Sequence, residues 1–184
     1  CSSDLIAEVL FGDYNPGGRL PVTFYKSIEQ VPDYENYDMT GRTYRYFTEE
    51  PLYPFGYGLS YTTFAYGNLA ISAPSIAAGE TVTVSAEVRN TGTLAGDEVV
   101  QLYVSAEQPS VPAPIRNLKG FQRMHLAPGE ARTVTFTVPA EAFMYANPAG
   151  DSILDPGAFR VILAGGQPGS VPEGQMAEGM IEVK

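Results

Sequence analysis

The sequence predicts a mainly β protein whose C-terminal part is a two-layer β-sandwich. From residue 67 onward, apolar and polar residues alternate with a period of two, most clearly over residues 81–89. Residues that favour tight turns separate the alternating runs, as in Asn90-Thr91-Gly92 and Asp155-Pro156-Gly157. No stretch of this part has the spacing of a convincing helix, so strands joined by turns are expected throughout.

The alternating runs predict about seven strands. They lie near residues 69–71, 81–89, 100–104, 118–126, 134–138, 159–163 and 181–183. Short strands with such turn signals are typical of immunoglobulin or fibronectin type III-like sandwiches. The segment from Glu107 to Pro114 contains three prolines, and it is expected to be a crossing loop because proline has no N–H to donate in a central strand. The core is expected to be Val, Leu, Ile and Phe, without tryptophan or a disulfide.

The N-terminal residues have a different pattern. Apolar residues at helical spacing predict the last turns of an amphipathic helix over residues 4–11, ended by Gly12. Residues 15–18 favour a turn, and residues 19–24 are predicted to form a short edge strand, where Pro21 is tolerated. A helix, a turn and one edge strand make no core alone. They imply a sheet that precedes this segment.

Residues 25–51 have no sustained period and are rich in tyrosine and acidic residues. A glycine- and aromatic-rich connector, Leu52 to Phe64, follows and is interpreted as a hinge between two units. Arg42, Tyr44 and Tyr46 are candidates for the rim of a sugar-binding site, because an aromatic face packs on C–H surface while hydroxyl and guanidinium groups form hydrogen bonds. The alternative, which we favour, is that these side chains seal the loop onto a neighbouring domain.

Composition excludes several classes of function. Acidic residues outnumber basic ones by 21 to 11, and this balance argues against a nucleic-acid partner or an anionic membrane surface. No apolar run approaches the roughly 18 residues of a membrane helix. Cys1 is the single cysteine, so neither an internal disulfide nor a cysteine metal site is expected. No cofactor is predicted, and nothing in the sequence determines the compartment.

The candidate catalytic motifs fail on inspection. Gly58-Leu59-Ser60 begins like a nucleophile elbow, but the closing glycine is missing and no strand-turn-helix pattern surrounds it. His125 has no second histidine or cysteine to share a metal, so a structural or surface role is expected. Acidic residues at 33, 35 and 38 lack the spacing of a calcium loop. From the residues alone we predict no catalytic residue and no metal site.

Several motifs nevertheless resemble one enzyme family. Residues 9–24, VLFGDYNPGGRLPVTF, resemble the end of the α/β domain of glycoside hydrolase family 3. Two segments resemble the connector of that family, residues 44–47 and 51–64. Four segments resemble its C-terminal fibronectin type III-like domain, residues 88–92, 95–104, 118–121 and 126–130. The resemblance covers nearly the whole chain, in order.

The resemblance implies a retaining, exo-acting β-glucosidase or β-xylosidase. Such chemistry uses two carboxyl groups roughly 5 Å apart, and in this family both lie upstream of the matched segment, so no catalytic residue is carried over. The implied division is a remnant of the α/β domain at 1–27, a Tyr-rich loop and connector at 28–66, and a fibronectin type III-like sandwich at 67–184. The N-terminus is expected to be truncated, because residues 1–5 lack the small-residue lead-in of the family and a starting methionine.

The partners implied are the upstream barrel and α/β domains of the same enzyme, a second copy in a homodimer, and a β-linked oligosaccharide substrate in the full-length enzyme. The chain itself is expected to brace these domains and to be inactive alone. The alternative is a stand-alone sugar-binding or adhesion module. Such a module would need a flat aromatic platform, for which Tyr103, Phe121 and Tyr145 are the candidates.

Overall fold

The computed structural model describes residues 2–184. It begins with helix α1, Ser2–Phe11, which confirms the predicted helix. Gly12 ends this helix with a φ of 84°, a left-handed conformation that glycine adopts without steric cost. The apolar residues Leu5, Leu10 and Phe11 are exposed, so the helix buries no apolar face of its own against the described residues.

Residues 12–63 are mostly irregular, as predicted for the greater part of this stretch. They contain a short 3-10 helix, Ile28–Gln30, and one helical turn, α2, Thr43–Tyr46.

The predicted edge strand at residues 19–24 is wrong. This segment meets residues 52–57 at two separate points, through a bond from the Leu20 N–H to the Tyr57 carbonyl (2.8 Å) and one from the Phe24 N–H to the Tyr53 carbonyl (2.9 Å). Only an isolated Phe24–Tyr53 bridge results. Pro21 lies between the two points and has no N–H to donate, so a continuous ladder does not form.

The sandwich contains seven long strands, which confirms the prediction, and three strands of two residues each. The long strands are β1 Phe64–Ile71, β3 Thr81–Asn90, β4 Gly96–Ala106, β5 Asn117–Leu126, β6 Ala131–Pro139, β9 Gly157–Ala164 and β10 Met176–Val183. The short ones are β2 Ser75–Ile76, β7 Tyr145–Ala146 and β8 Ser152–Ile153. A 3-10 turn, Ala140–Phe143, follows β6, and the proline-rich segment 107–114 is a loop between β4 and β5, as predicted.

The strands form two facing sheets. One has the order β1-β3-β6 and the other β2-β10-β9-β4-β5, while β7 and β8 form a small separate hairpin. Pairing in both large sheets is antiparallel except between β2 and β10. The β3–β6 register runs without interruption from Thr81–Pro139 to Arg89–Ala131.

The core lies between the two sheets and follows the predicted alternation. In β3, Val82, Val84, Ala86 and Val88 are all buried, while most intervening residues face outward. Valine, leucine, isoleucine and phenylalanine dominate this core, and burying each such side chain contributes roughly 1.5–3 kcal/mol. The sandwich therefore has a continuous apolar core of its own.

A second apolar cluster lies on the outer face of the five-stranded sheet. Tyr103, Ile162 and Ala164 point away from the inter-sheet core and are buried beneath Tyr44 and Phe55 of the loop and connector. Strand β1 begins at Phe64, three residues before the predicted start of the sandwich. The division of the chain at residues 27 and 66 stays a prediction.

No helix within residues 2–184 is long and apolar enough to cross a membrane.

Hydrogen exchange compares how firmly the sandwich and the N-terminal segment are held. The paired strands β3 and β4 should show the strongest protection, because their amides are bonded on both sides. Amides of residues 12–50 should exchange at least ~100-fold faster, since side-chain contacts and isolated backbone bonds hold most of this stretch instead of a strand ladder. Strong protection throughout residues 10–50 of a monomer would contradict the prediction.

Candidate functional site

The N-terminal segment and the sandwich meet at a buried ion pair. We call this region the seam, meaning the contact of residues 15–20 and 54–62 with the end of the sandwich. The Arg19 Nη2 lies 2.7 Å from the Glu98 Oε2, and the two side chains are 11% and 3% exposed. The Tyr66 hydroxyl donates to the other carboxylate oxygen at 2.7 Å. Arg19 also donates from Nε to the Gly165 carbonyl at 3.1 Å.

Burial and charge oppose each other at this pair. Burial raises the pKa of the Glu98 carboxyl above its ordinary range, although the Arg19 guanidinium and the hydrogen bond from Tyr66 act in the other direction. Burial, followed by the adjacent Glu98 carboxylate, raises the pKa of the Tyr66 hydroxyl well above its ordinary value. A buried carboxylate is costly unless its oxygens are paired, and here both oxygens have donors.

Glycines make room for the seam. A Cβ built at Gly165 would lie 2.1 Å from the Glu98 Oε1, and one at Gly58 would lie 2.2 Å from the Gly18 carbonyl oxygen. Gly56 has a φ of 75°, and its Cβ would lie 2.4 Å from the Gln101 Oε1. Real side chains do not approach this closely, so the fit of the connector on the sandwich requires glycine at these positions.

Asn15 joins the N-terminal turn to the connector. Its Oδ1 accepts from the Ser60 hydroxyl at 3.0 Å and from the Tyr61 N–H at 2.8 Å, while its Nδ2 donates to the Ala95 carbonyl at 2.9 Å. Ser60 is thus part of a structural hydrogen-bond network. No histidine or carboxylate activates its hydroxyl in the described chain.

An aromatic stack fixes the loop to the outer face of the five-stranded sheet. The ring of Tyr44 stacks on Phe55 with centroids 4.1 Å apart and meets Tyr103 edge-on at 6.3 Å. The Tyr44 hydroxyl accepts the Leu118 N–H at 3.1 Å. Aromatic pairs of this kind contribute about 0.5–1.5 kcal/mol beyond their buried area.

The rim candidates occupy these covering contacts. Arg42 donates to the carbonyls of Asp38 (2.9 Å) and Asp33 (3.3 Å) and so closes its own loop. Tyr44 belongs to the stack, and Tyr46 is half-buried with the Arg45 guanidinium 5.9 Å from its ring centre. These contacts agree with a covering role, and contact of Arg42, Tyr44 or Tyr46 with sugar stays a prediction.

The acidic and histidine candidates lie at the surface. The His125 Nδ1 is 2.6 Å from the Asp97 Oδ1. Burial would raise the pKa of Asp97, but hydrogen bonds from His125 and Arg123 outweigh it and leave that pKa lowered. In the acidic loop, the Asp33 and Asp38 carboxylates accept nearby backbone N–H groups. Among residues 2–184 no group of three His, Cys, Asp or Glu side chains could hold a metal ion.

The three aromatic residues that a sugar-binding module would need do not form one flat surface. Tyr103 and Tyr145 are only 1% and 6% exposed, whereas Phe121 is 69% exposed. Tyr103 is covered by the connector and Tyr145 belongs to the inter-sheet core. A single exposed ring on β5 does not form a flat surface for a sugar chain.

Comparison with known proteins fits this architecture. The family model described as "Glycosyl hydrolase family 3 C-terminal domain" matches residues 2–61, and the one described as "Fibronectin type III-like domain" matches residues 98–167. The periplasmic beta-glucosidase of Salmonella typhimurium is 44% identical over 170 residues, which are 86% of this chain. The chain belongs to glycoside hydrolase family 3.

Other family 3 proteins match along the same stretch. The beta-xylosidase of Formosa agariphila is 44% identical over 87% of this chain. Among solved structures, β-glucosidase EmGH1 of Erythrobacter marinus superposes with a TM-score of 0.80 at 39% identity over 97% of the chain. Beta-glucosidase 3B of Thermotoga neapolitana, in complex with alpha-D-glucose, gives 0.82 at 32% identity over 96%.

The chain spans only part of these relatives. It covers 22% of the Salmonella protein, 23% of the Formosa protein and 26% of the Thermotoga chain. The resemblance predicted from the motifs is confirmed, and what matches in these relatives is their C-terminal part.

Sequence reasoning missed the importance of Arg19 and Glu98. The two residues are 79 positions apart, and no local pattern links them. One signal was available, since Glu98 is in phase with Val100 and Leu102 on the inward side of β4. A carboxylate at an inward position needs a buried partner, although the alternation does not say which residue supplies it.

Replacement of Arg19 by methionine tests the ion pair. R19M should lower the free energy of unfolding by about 2–5 kcal/mol, because it leaves a buried carboxylate without its cation. The matched control is K26M, which removes the exposed Lys26–Glu50 pair and should cost less than about 1 kcal/mol. Urea unfolding followed by circular dichroism measures both. Equal losses in the two variants would show that the seam pair is unimportant.

The defect of R19M should also depend on pH. Without the guanidinium, burial keeps the folded pKa of Glu98 above its unfolded value of about 4.3. The penalty is therefore complete above the raised pKa and fades as the pH falls to the unfolded pKa. The difference in unfolding free energy between wild type and R19M should be larger at pH 8 than at pH 4.

Replacement of Gly165 by alanine tests the close approach at the seam. The new Cβ would overlap the Glu98 Oε1, and the forced shift should destabilise the protein by about 1–3 kcal/mol. Gly67 is the control, because a Cβ there has no atom within 4 Å and G67A should be nearly neutral. Thermal unfolding compares the two. A G165A protein as stable as G67A would mean that the carboxylate can move aside.

Proposed function

We propose that this chain is the C-terminal module of a retaining, exo-acting β-glycosidase that hydrolyses O-glycosyl bonds. The main support for the proposal is that family 3 relatives match nearly the whole chain. In addition, the seam contains no catalytic pair of carboxylates. Glu98 is the carboxylate buried there, and it is committed to Arg19 and Tyr66. The chemistry then belongs to the upstream barrel and α/β domains, and this chain braces them.

Exposed apolar side chains of the N-terminal segment support docking of those domains. On the first helix these are Leu5, Ile6, Leu10 and Phe11, and in the segment that follows Val22, Phe24, Ile28 and Val31 are exposed. A helix with uncovered apolar side chains is what the end of a larger α/β domain would present. The seam would then fix the orientation of the sandwich relative to that domain.

In this proposal each of three consecutive segments of the chain has its own structural role. Residues 1–27 complete the α/β domain, residues 28–66 connect and cover, and residues 67–184 form the brace. The ranges of the two family models, 2–61 and 98–167, support a boundary between them. Both a beta-glucosidase and a beta-xylosidase are 44% identical to the chain, so the proposal names β-linked glycosides as substrate class, with a homodimer of the whole enzyme as an additional assembly.

Activity measurements test the proposal. The purified chain should release no p-nitrophenol from aryl β-glucosides or β-xylosides above background, because the two carboxyl groups of the double displacement are expected in the upstream domains. An enzyme expressed with upstream coding sequence should be active, and proton NMR should show the β-anomer as the first product. Turnover by the chain alone would overturn the assignment of the chemistry to upstream domains.

A further inference from the structure

Two positively charged side chains meet beside the start of β5. Arg45 belongs to helix α2 and Lys119 to β5, and a bond from the Ile115 N–H to the Arg45 carbonyl at 2.8 Å brings these segments together. With the Asn117 amide oriented to suit its neighbours, its side-chain oxygen accepts from the Lys119 Nζ at 3.0 Å and from the Arg45 Nη2 at 3.3 Å. Two cations, which we call the cation pair, thus share one uncharged acceptor.

The cation pair has no counterion among the described residues. The ion pairs within residues 2–184 all involve other side chains, and neither Arg45 nor Lys119 contacts a carboxylate. The chain has 21 acidic residues for 11 basic ones. A shortage of carboxylates therefore does not explain why these two cations are left together without one.

The missing counterion is costly because both side chains are half-buried. Burial lowers the pKa of the Lys119 ammonium, and the nearby Arg45 guanidinium lowers it further. Two like charges that lose part of their water and gain a single amide oxygen destabilise each other. A negative charge placed beside them would convert this repulsion into two favourable contacts.

The space at the cation pair favours an anion that is part of a protein surface over a free ion. The hollow lined by Lys119 and Asn117 has a volume of about 10 Å³, which is room for one water molecule. A free oxyanion cannot be enclosed there. A carboxylate at the end of a side chain can reach the two cations from outside without a pocket of its own.

The surroundings of α2 indicate where such a surface comes from. The Phe47 ring, directly after α2, meets the Tyr25 ring edge-on at 5.1 Å, and Val22 and Phe24 in the same N-terminal segment are exposed. The cation pair therefore lies on an element that packs against the segment proposed to dock the upstream domains. The chain covers only 22% of its Salmonella relative, so most of such an enzyme lies outside these residues.

We propose that the cation pair binds an aspartate or glutamate side chain of the upstream domains. The carboxylate accepts from the Lys119 ammonium and from the Arg45 guanidinium. The contact fixes the loop and β5 to those domains at a point separate from the Arg19–Glu98 pair. This inference rests on the proposed function, because it requires upstream domains in the same protein.

Replacement of Lys119 by methionine should have opposite effects in two proteins. In the chain alone, K119M should leave Tm unchanged or raise it by about 1–3 °C, because it removes a like charge and keeps the apolar stem. In the enzyme expressed with its upstream sequence, K119M should lower Tm by at least ~2 °C, because the partner carboxylate loses its cation. R89M is the control. Arg89 is exposed on β3 and donates to the Gly129 carbonyl, so its effect should be the same in both proteins.

Acetylation of lysine amines gives a second measurement, which needs no variant to fold. The chain has three lysines, Lys26, Lys119 and Lys184. Relative to exposed Lys184, Lys119 should react with acetic anhydride at least ~10-fold more slowly in the full enzyme than in the chain alone, because a carboxylate partner favours the unreactive ammonium form. Mass spectrometry of the digested proteins measures both rates.

Activity on aryl β-glycosides, measured in the same preparations, separates this inference from the proposed function. An inactive full enzyme would contradict the proposed function. An active enzyme in which K119M acts as it does in the chain alone, or in which Lys119 is acetylated as fast as in the chain alone, would overturn the carboxylate contact. Stabilisation of the chain alone by about 10 mM phosphate at constant ionic strength, lost in K119M, would also overturn it, because the pair would then bind a free anion.

Discussion

The seam depends on one buried ion pair. Glu98 occupies an inward position of β4, where an unpaired carboxylate would be too costly to keep. Its pairing with Arg19 at 2.7 Å ties the N-terminal turn to the sandwich, and the Tyr66 hydroxyl satisfies the second oxygen. The close fit of Gly165 against the carboxylate follows from the same need, because any side chain there would push the charge away from its partners. Residues 15–20 are thus held on the sandwich by this ion pair together with the hydrogen bonds of Asn15.

The outer face of the five-stranded sheet explains why this sandwich is not a free-standing module. A sheet that faced solvent there would carry polar residues, yet Tyr103, Ile162 and Ala164 are buried on this face. The stack of Tyr44 on Phe55 covers them. The connector is therefore part of the sandwich's own packing, and the aromatic rings that a sugar platform would use are committed to holding the two together. Family 3 membership and this covered face lead to the same interpretation of the chain as a structural module.

Much of the fold followed from local pattern. The period of two located the seven long strands, since alternation in β3 must place Val82, Val84, Ala86 and Val88 on one face. Glycine and helical spacing located the end of α1 at Gly12. The prediction of an edge strand at residues 19–24 was wrong, because an apolar run can indicate that a segment is extended but cannot indicate which segment it pairs with. The aromatic platform does not form for a similar reason. The sequence around Tyr103 and Tyr145 does not show whether other parts of the chain cover these rings, and in the structure both are buried.

The sequence by itself determined the sandwich, the irregular connector, the family and the lack of a local catalytic motif, because each depends on neighbours along the chain or on motifs in order. Only the tertiary structure decided which residues form the seam. Arg19 and Glu98 are 79 positions apart, and Gln167 is left without a donor by loops that are distant in sequence. A pairing between distant residues has no periodic signature, and the cost of burying a charge or an amide depends on which surfaces meet after the chain has folded.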